Sequence, residues 1–268
     1  MSDYKQTATS LIETGMAYIS VPRQMVQVAL AAEKTIINGM QSAPVAMKAN
    51  RPGELPDEFD IGLTYKNGTE ATDHKFFWHY SHDLRKHFSE IQLQHLNRFA
   101  AELEALDRLQ KRLEEASRGV IDCLDKVPGL FESGLPDNIL ASYRRSRPYA
   151  TTTLRGLWYP AGGAQDGAKR HADRNFLTIH LGDIGGQLLG SVDQDAQQDK
   201  LVSPKPGQAL VFFGVKAWLL SKRKLPFMWH QSTVEPGHDR QALVHFVQAD
   251  VGFPVTRSSD ILDHYSFD

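Results

Sequence analysis

The sequence predicts an α+β protein with a mainly β core, in which a helical N-terminal region supports a β-rich C-terminal half. Before residue 130 apolar residues recur at helical spacing, and after residue 150 short β-rich segments are bounded by glycine and proline turns. No flexible linker stands out between these two parts of the 268-residue chain. We therefore expect one composite domain, residues 1–268, rather than two independent ones.

Two elements are predicted near the N-terminus. The segment LIETG followed by MAYISV indicates the end of a short helix, a glycine stop at Gly15 and then a strand. Residues 22–40 open with Pro22 and are rich in alanine and β-branched residues, which favours a helix. The stretch 43–72 carries repeated prolines and glycines, so a loop-rich excursion is expected there.

A long amphipathic helix is predicted next. Apolar residues recur at steps of three or four from Leu96 to Val120, and the pattern runs to about Asp125. The heptad register drifts after Leu106, so packing against a sheet is favoured over a coiled coil. The single cysteine, Cys123, lies on the apolar side of this helix and is expected to be a small buried filler.

Four β-rich segments fill the C-terminal half. They read TTTLRGLWY, NFLTIHLGD, QALVFFG and QALVHFVQ. Turns of the types PAGG, DIGG, PKPG and EPGHD bound them, with few helical stretches between. This pattern predicts a β-sandwich or barrel. Upstream, the aromatic side chains of FFWHY, residues 76–80, are expected to pack in the core.

Composition narrows the class of protein. Hydrophobic residues make up 41% and charged residues 23% of the chain, as in ordinary globular proteins. The formal charge is −2 with no strongly basic half, which argues against a general electrostatic grip on nucleic acid. The segment MSDYKQTATS lacks the apolar core of a signal peptide, and no apolar run approaches ~18 residues. A cytoplasmic enzyme or binding protein, away from membranes, is expected.

A pair of potential metal ligands precedes one of the β-rich segments. His171 and Asp173 are two positions apart, and on a strand such residues project from the same face. A further histidine, His230, follows 57 positions after Asp173. Two histidines and one carboxylate on one face of an octahedral Fe(II) leave three positions open for oxygen and an organic acid. Zinc hydrolases with similar ligands usually carry H-E-x-x-H, which is absent here.

These residues also have ordinary structural explanations. Eleven histidines make one His-x-Asp pair close to a chance occurrence, so His171 and Asp173 can be a surface pair. His230 can be a core histidine bonded to backbone, and Arg240 can pair with the adjacent Asp239. The residues alone leave these alternatives open.

The order of several segments resembles the isopenicillin N synthase-like iron/2-oxoglutarate oxygenases, also known as iron/ascorbate oxidoreductases. DHKFFWH is similar to the D-x-K-E-x-F segment of that family without its glutamate, and LWYP is similar to its N-x-Y-P strand. HADRNFLTIHLGDIGGQLL resembles its H-x-D strand and the hairpin that follows. KLVSPKPGQALVFFG is similar to its W-x-x-V-x-P-x-P-G segment. Each match is loose, but their order and spacing together are specific.

The resemblance implies a fold, a set of site residues and an activity. The fold is a double-stranded β-helix, a jelly-roll barrel, with its core at about 150–255 and helical support from 1–130. His171, Asp173 and His230 are then the iron ligands, and Arg240 and Tyr159 bind the distal carboxylate of 2-oxoglutarate. The implied enzyme is a dioxygenase that oxidises a small organic substrate with O₂ while 2-oxoglutarate is decarboxylated to succinate.

Three positions depart from the family pattern. Ala242 replaces the serine of its R-x-S motif, Leu157 replaces the asparagine of N-x-Y, and Gln231 replaces the arginine that commonly follows the distal histidine. The first two remove polar contacts near the cosubstrate and the iron. Two alternatives therefore stay open, namely an iron oxidase that needs no cosubstrate and a metal-binding barrel without turnover.

Strand alternation also predicts the surroundings of the arginine. Arg240 shares a strand face with Ala242, Val244 and Phe246, so it is expected to be the only charge that this strand face offers. His180 lies on the face opposite to its strand neighbours and is expected to be a satisfied or exposed histidine.

Overall fold

The computed structural model describes residues 2–41, 62–66, 75–81, 94, 97–131, 152–161, 167–193 and 198–249. Its helices are α1 Ser2–Thr14, α2 Arg23–Gln41, α3 Ala100–Asp125 and α4 Val215–Leu220. Its strands are β1 Met16–Ser20, β2 Gly62–Lys66, β3 Lys75–Tyr80, β4 Thr152–Tyr159, β5 His171–Ala172, β6 Leu177–Ile184, β7 Gly186–Ser191, β8 Lys200–Leu201, β9 Gln208–Phe213, β10 Trp229–Val234 and β11 Arg240–Val247.

The N-terminal elements follow the sequence prediction. Helix α1 ends at Gly15, whose φ of +74° is favourable only for glycine and whose amide donates to the Leu11 carbonyl. A Cβ there would lie 2.4 Å from a Val192 methyl, so a larger residue is excluded by space as well. Most of the expected excursion at 43–72 lies outside the described residues, but within it residues 62–66 form a strand.

The long helix α3 buries one apolar side against its neighbours. Leu103, Leu106, Leu109 and Leu113 on this side are almost inaccessible to water, and the helix packs against α1, α2 and the sheet. The predicted packing of an amphipathic helix on a sheet is confirmed. The first residues of the predicted helix, around Leu96, lie outside the described part.

Two antiparallel sheets form the β half. The larger has the strand order β1-β9-β6-β11-β4-β3-β2 and the smaller has the order β5-β10-β7-β8. Their apolar faces meet in one buried cluster that contains Leu188 of the smaller sheet, Val202 just after β8, and Leu210 and Phe212 of the larger sheet. The two sheets as described are open. They establish a mixed fold of helices and antiparallel sheets, and they do not confirm the predicted closed barrel.

The helices that the structure describes pack on one face of the larger sheet. Leu154 of β4 and Leu243 and Val247 of β11 belong to the same apolar core as α2 and α3. Trp78 and Tyr80 of β3 join this core, as predicted, while the side chains of Phe76 and Phe77 lie outside the described part. Cys123 is only partly buried beside the core. The opposite face looks toward the smaller sheet and carries the polar residues discussed below. Among the helices that the structure describes, none is long and apolar enough to cross a membrane.

Candidate metal centre

The structure brings His171, Asp173 and His230 together at the edge of the smaller sheet. His230 in β10 pairs directly with His171 in β5, and their rings are 4.3 Å apart. One ligand atom from each of the three residues lies within 4.8 Å of the others. The Nε2 atoms of both histidines are 3.8 Å from the same oxygen, Oδ1 of Asp173. These distances leave room for one ion between the three side chains.

Strand alternation is not what places Asp173. Strand β5 ends at Ala172, so Asp173 lies just outside it, before the bend that begins at Arg174, and the predicted shared strand face does not extend to it. The Asp173 carbonyl accepts a hydrogen bond of 2.8 Å from the Val215 amide at the start of α4. A Cβ at Gly214 would lie 2.8 Å from that carbonyl, so the absence of a side chain there permits the close approach.

Backbone carbonyls orient both imidazole rings. Nδ1 of His171 lies 2.7 Å from the Lys169 carbonyl, and Nδ1 of His230 lies 3.4 Å from the Met228 carbonyl. A proton on each Nδ1 makes these contacts favourable and leaves the Nε2 lone pairs directed toward Asp173. The two histidines are therefore arranged as neutral nitrogen donors.

Two residues that the sequence analysis missed hold the Asp173 carboxylate. The Thr178 hydroxyl donates to Oδ2 of Asp173 at 2.7 Å, and Nδ2 of Asn175 donates to that hydroxyl at 2.9 Å. Oδ2 is thus engaged by the protein, and Oδ1 faces the two histidines. The sequence signal that could have identified them is a pair of polar side chains at the start of a predicted buried strand, since buried polar groups need partners.

The electrostatics of the site favour the protonation states that bind a metal. Partial burial, together with the neighbouring imidazole of His230, lowers the pKa of His171 to about 4. Burial also lowers the pKa of His230. Burial alone would raise the pKa of Asp173, but the charges of the two histidines and the Thr178 hydrogen bond outweigh it and lower that pKa. At neutral pH the site therefore holds two neutral imidazoles and one carboxylate.

Arg240 and Tyr159 lie side by side on the larger sheet. They are paired residues of β11 and β4, and the guanidinium carbon is 5.0 Å from the centre of the tyrosine ring. Both residues are at least 98% buried. The Tyr159 hydroxyl and the Nε and Nη1 atoms of Arg240 find no hydrogen-bond partner within the described part of the chain. Buried donors of this kind normally have a partner, so they fit an anionic ligand such as a carboxylate.

The arginine is not the only charge in its surroundings, because Asp183 on the neighbouring strand reaches it. Nη2 of Arg240 contacts Oδ1 of Asp183, and both side chains are 1% exposed. His180 joins this cluster, with Nε2 3.6 Å from Oδ2 of Asp183 and Nδ1 accepting from the Gly182 amide at 3.2 Å. The prediction of a satisfied His180 is thus partly met. Arg240 is the only charged residue on its face of β11, as expected, but Asp183 of the adjacent strand β6 brings a second charge to the same face of the sheet.

A β-bulge explains why Asp183 was overlooked. In a regular strand residues 180 and 183 face opposite sides of the sheet. The pairing of β6 with β11 shifts register between Ala242 and Val244, and Gly182 has a φ of +110°. The extra residue turns Asp183 to the side of His180. A glycine within a strand pattern is the sequence signal for such a bulge.

Two further cations approach this region from β3 and β4. The Lys75 ammonium is 5.5 Å from the centre of the Tyr159 ring, and the Arg155 guanidinium is 4.7 Å from the Phe246 ring. Their charges reach the candidate metal site, since Lys75 contributes to the lowered pKa of His171 and Arg155 to that of Asp173. Lys75 and Arg155 are therefore two cations of this region in addition to Arg240.

The departures from the family pattern are also visible. Ala242 and Leu157 are paired across β11 and β4, next to the pair formed by Arg240 and Tyr159. An apolar pair therefore stands where the family has two polar side chains. Gln231 belongs to β10 and pairs with Leu189 of β7.

Known proteins resemble this chain both in sequence and in structure. No family model matches the sequence. A curated relative, the 2-oxoglutarate-dependent dioxygenase iboH of Amanita muscaria (strain Koide BX008), is 30% identical over 115 residues, which are 41% of this chain and 55% of that protein. The match thus spans about half the length of the relative.

Solved structures match over nearly the whole chain. The structure of JOX2 in complex with 2OG, Fe and JA has a TM-score of 0.65 at 17% identity and covers 97% of this chain and 75% of that one. Neurospora crassa T7H in complex with alpha-KG has a TM-score of 0.62 at 14% identity, covering 92% and 79%. The dioxygenase for auxin oxidation in rice has a TM-score of 0.57 at 16% identity, covering 93% and 79%.

At these identities the structural matches establish the architecture. The curated relative points to the same group of proteins, so the resemblance predicted from the sequence is confirmed. The chain has the fold of the iron- and 2-oxoglutarate-dependent oxygenases.

Proposed function

We propose that this protein is an Fe(II)- and 2-oxoglutarate-dependent oxygenase that oxidises a small organic molecule, with His171, Asp173 and His230 as the iron ligands. The observation that carries the proposal is the convergence of two Nε2 atoms on one carboxylate oxygen, each at 3.8 Å. The donor set contains two imidazoles and one carboxylate without thiolate, as non-haem Fe(II) sites do. Iron and 2-oxoglutarate bound there would supply the oxidising chemistry, in which O₂ is consumed and 2-oxoglutarate is converted to succinate and CO₂.

The protein's own contribution is to orient the ligands and to receive the cosubstrate. The Lys169 and Met228 carbonyls fix the two imidazoles, and the Thr178 hydroxyl fixes the carboxylate. Arg240 and Tyr159 receive the distal carboxylate of 2-oxoglutarate, because a planar guanidinium and a phenol hydroxyl are good carboxylate donors. Their unpartnered buried atoms support this role.

The reaction outcome is restricted by Asp173. A carboxylate at this position occupies the place that a halogenase leaves for chloride, so hydroxylation, desaturation or ring formation is expected. The net charge of −2 is better suited to a small-molecule substrate than to nucleic acid. For the architecture, we propose that the two sheets are parts of a closed jelly-roll core at about 150–255, supported by 1–130 within one composite domain.

The nearest alternative is an iron oxidase that needs no cosubstrate. The apolar pair of Leu157 and Ala242 favours it, because two polar contacts of the family pattern are missing beside Arg240. A metal-binding protein without turnover is the second alternative. All three functions use the same metal site and differ in whether 2-oxoglutarate binds and whether oxygen is consumed.

One anaerobic titration separates these functions. Fe(II) is added to the metal-free protein and then 2-oxoglutarate, and the weak visible charge-transfer band of the chelate is followed. We expect the band to develop and saturate, and O₂ added afterwards to be consumed. A protein that consumes O₂ with Fe(II) but never forms the band is the cosubstrate-independent oxidase. Equal activity with Zn(II) contradicts any oxygenase, since zinc has no redox chemistry.

A further inference from the structure

The cation expected to bind the cosubstrate already has a carboxylate of the chain beside it. Asp183 contacts one nitrogen of Arg240, and both groups are almost completely shielded from water. Nε2 of His180 lies 3.6 Å from the other carboxylate oxygen of Asp183, and Nδ1 of His180 accepts a hydrogen bond from the Gly182 amide. Because burial lowers the pKa of His180, it is neutral here and adds no positive charge. Arg240 and Asp183 therefore form a buried pair with no net charge.

This pairing changes the charge balance of the cosubstrate site. A distal carboxylate that enters beside Arg240 places two negative groups around one guanidinium. A buried charge without a compensating partner is strongly unfavourable. A second cation near Arg240 restores neutrality, and this requirement can be checked against the residues around Tyr159.

Lys75 satisfies the requirement by its position. It begins β3, which pairs with β4 on one side, while β11 with Arg240 pairs with β4 on the other. The ring of Tyr159 at the end of β4 lies within 5.5 Å of both cationic groups, and its hydroxyl has no partner in the described residues. A lysine ammonium on a flexible stem acts as a point charge and binds a carboxylate without a fixed geometry.

We propose that Lys75 is a binding residue for the distal carboxylate of the 2-oxo acid, which it shares with Arg240 and the Tyr159 hydroxyl because Asp183 already engages the guanidinium. The inference rests on the function proposed above and adds a residue to it. It also gives the N-terminal region a direct part in the site, since β3 precedes α3 in the chain.

The test compares two acids that differ only at the far end. 2-Oxoglutarate and 2-oxopentanoate share the group that chelates iron, but the second has a methyl group in place of the distal carboxylate. Dissociation constants for both are measured anaerobically on the Fe(II) protein by titration of the charge-transfer band. The variants are Lys75→Met, Lys75→Arg and, as a control of equal charge change, Lys111→Met at an exposed position of α3.

We expect Lys75→Met to weaken 2-oxoglutarate by at least about tenfold and to leave 2-oxopentanoate unchanged. Lys75→Arg should recover most of the loss, and Lys111→Met should match the wild type. Equal weakening of both acids, or no weakening of either, overturns the proposal, because only a contact with the distal carboxylate separates the two acids. If wild-type protein binds neither acid, the proposed function itself fails.

The charge argument has its own test in a second background. Asp183→Asn removes the negative charge that Lys75 is proposed to offset. We expect Lys75→Met to cost less 2-oxoglutarate affinity in that background than in the wild type. A loss of the same size in both backgrounds overturns the link between Lys75 and Asp183.

Discussion

The two faces of the larger sheet both bury ionisable side chains, but they satisfy them differently. On the site face, defined by Tyr159, Asp183 and Arg240, charged groups contact one another across neighbouring strands. On the helix face, defined by His245 and by Glu33 of α2, the side-chain polar atoms have no hydrogen-bond partner in the described structure. A buried side chain therefore stays ionised where a partner of opposite charge contacts it, and it becomes neutral where no partner does.

The pKa directions follow the same division. Burial alone lowers the pKa of His245 to about 3, so it stays neutral. Burial alone raises the pKa of Glu33 well above its usual range, so it tends to stay protonated. The Glu33 carboxyl lies against Gly156, where a Cβ would be 2.0 Å from Oε1. Neither group on the helix face influences the other, whereas on the site face ionised groups hold each other in place.

The largest expected effect concerns the metal. Asp173→Ala removes one of three ligands and the only negative one in the proposed site. We expect Fe(II) affinity to fall by more than about a thousandfold, roughly 4 kcal/mol, because each ligand supplies a large share of such binding. Anaerobic calorimetry measures it, with Asp122→Ala at an exposed position of α3 as the control. Retained affinity in Asp173→Ala would show that the metal binds elsewhere.

The second prediction breaks the buried pair on the site face. Arg240→Ala leaves the Asp183 carboxylate buried without its partner, and we expect the free energy of unfolding to fall by about 3 to 4 kcal/mol. The double variant Arg240→Ala/Asp183→Ala should recover part of that loss, since no charge is then stranded. Urea unfolding of the two single variants and the double variant gives the coupling energy. Purely additive losses would mean that the pair does not interact.

The sequence predicted much of this molecule, for reasons that are local. Periodicity defined α3, and the run of turns and β-rich segments defined β4, β6, β9 and β11. Asp183 could not be placed, because a single bulge at Gly182 reverses the alternation on which the prediction depended. The relation of Lys75 to Tyr159 depends on the pairing of β3 with β4, which lie far apart in the chain. Nothing local distinguishes Glu33 from an exposed glutamate.

The third prediction concerns His245 and acid. The pKa of His245 in the folded protein is about 3, below the ordinary 6.5. Between these two pH values, His245 is protonated in the unfolded chain and neutral in the folded chain. The stability that depends on neutral His245 is complete above pH 6.5 and is lost progressively toward pH 3. Relative to His245→Phe, the wild type should lose about 2 to 3 kcal/mol between pH 6.5 and 4.5. Denaturant curves measured at several pH values check this, and parallel curves would contradict it.

The smallest expected effect belongs to Glu33, and its sign is opposite. Its folded pKa is raised, so between pH 5 and 6 the unfolded chain releases a proton that the folded chain keeps, and stability falls as pH rises. Relative to Glu33→Gln, which cannot ionise, the wild type should become less stable over that pH unit, by no more than the limit of about 1.4 kcal/mol for one proton. The same denaturant curves supply the measurement.

The two helix-face groups therefore offset each other between pH 5 and 6. His245 makes the wild type less stable as pH falls, and Glu33 makes it less stable as pH rises, so the two slopes partly cancel. In each single variant, the free energy of unfolding should show the pH dependence of the group that remains. In the double variant Glu33→Gln/His245→Phe, neither contribution should remain, and only the other titrating groups should cause a pH dependence. A Glu33→Gln curve parallel to that of the wild type would mean that the carboxyl ionises in the folded protein. In that case an unseen partner must stabilise its charge, and the contrast between the two faces of the sheet would no longer hold.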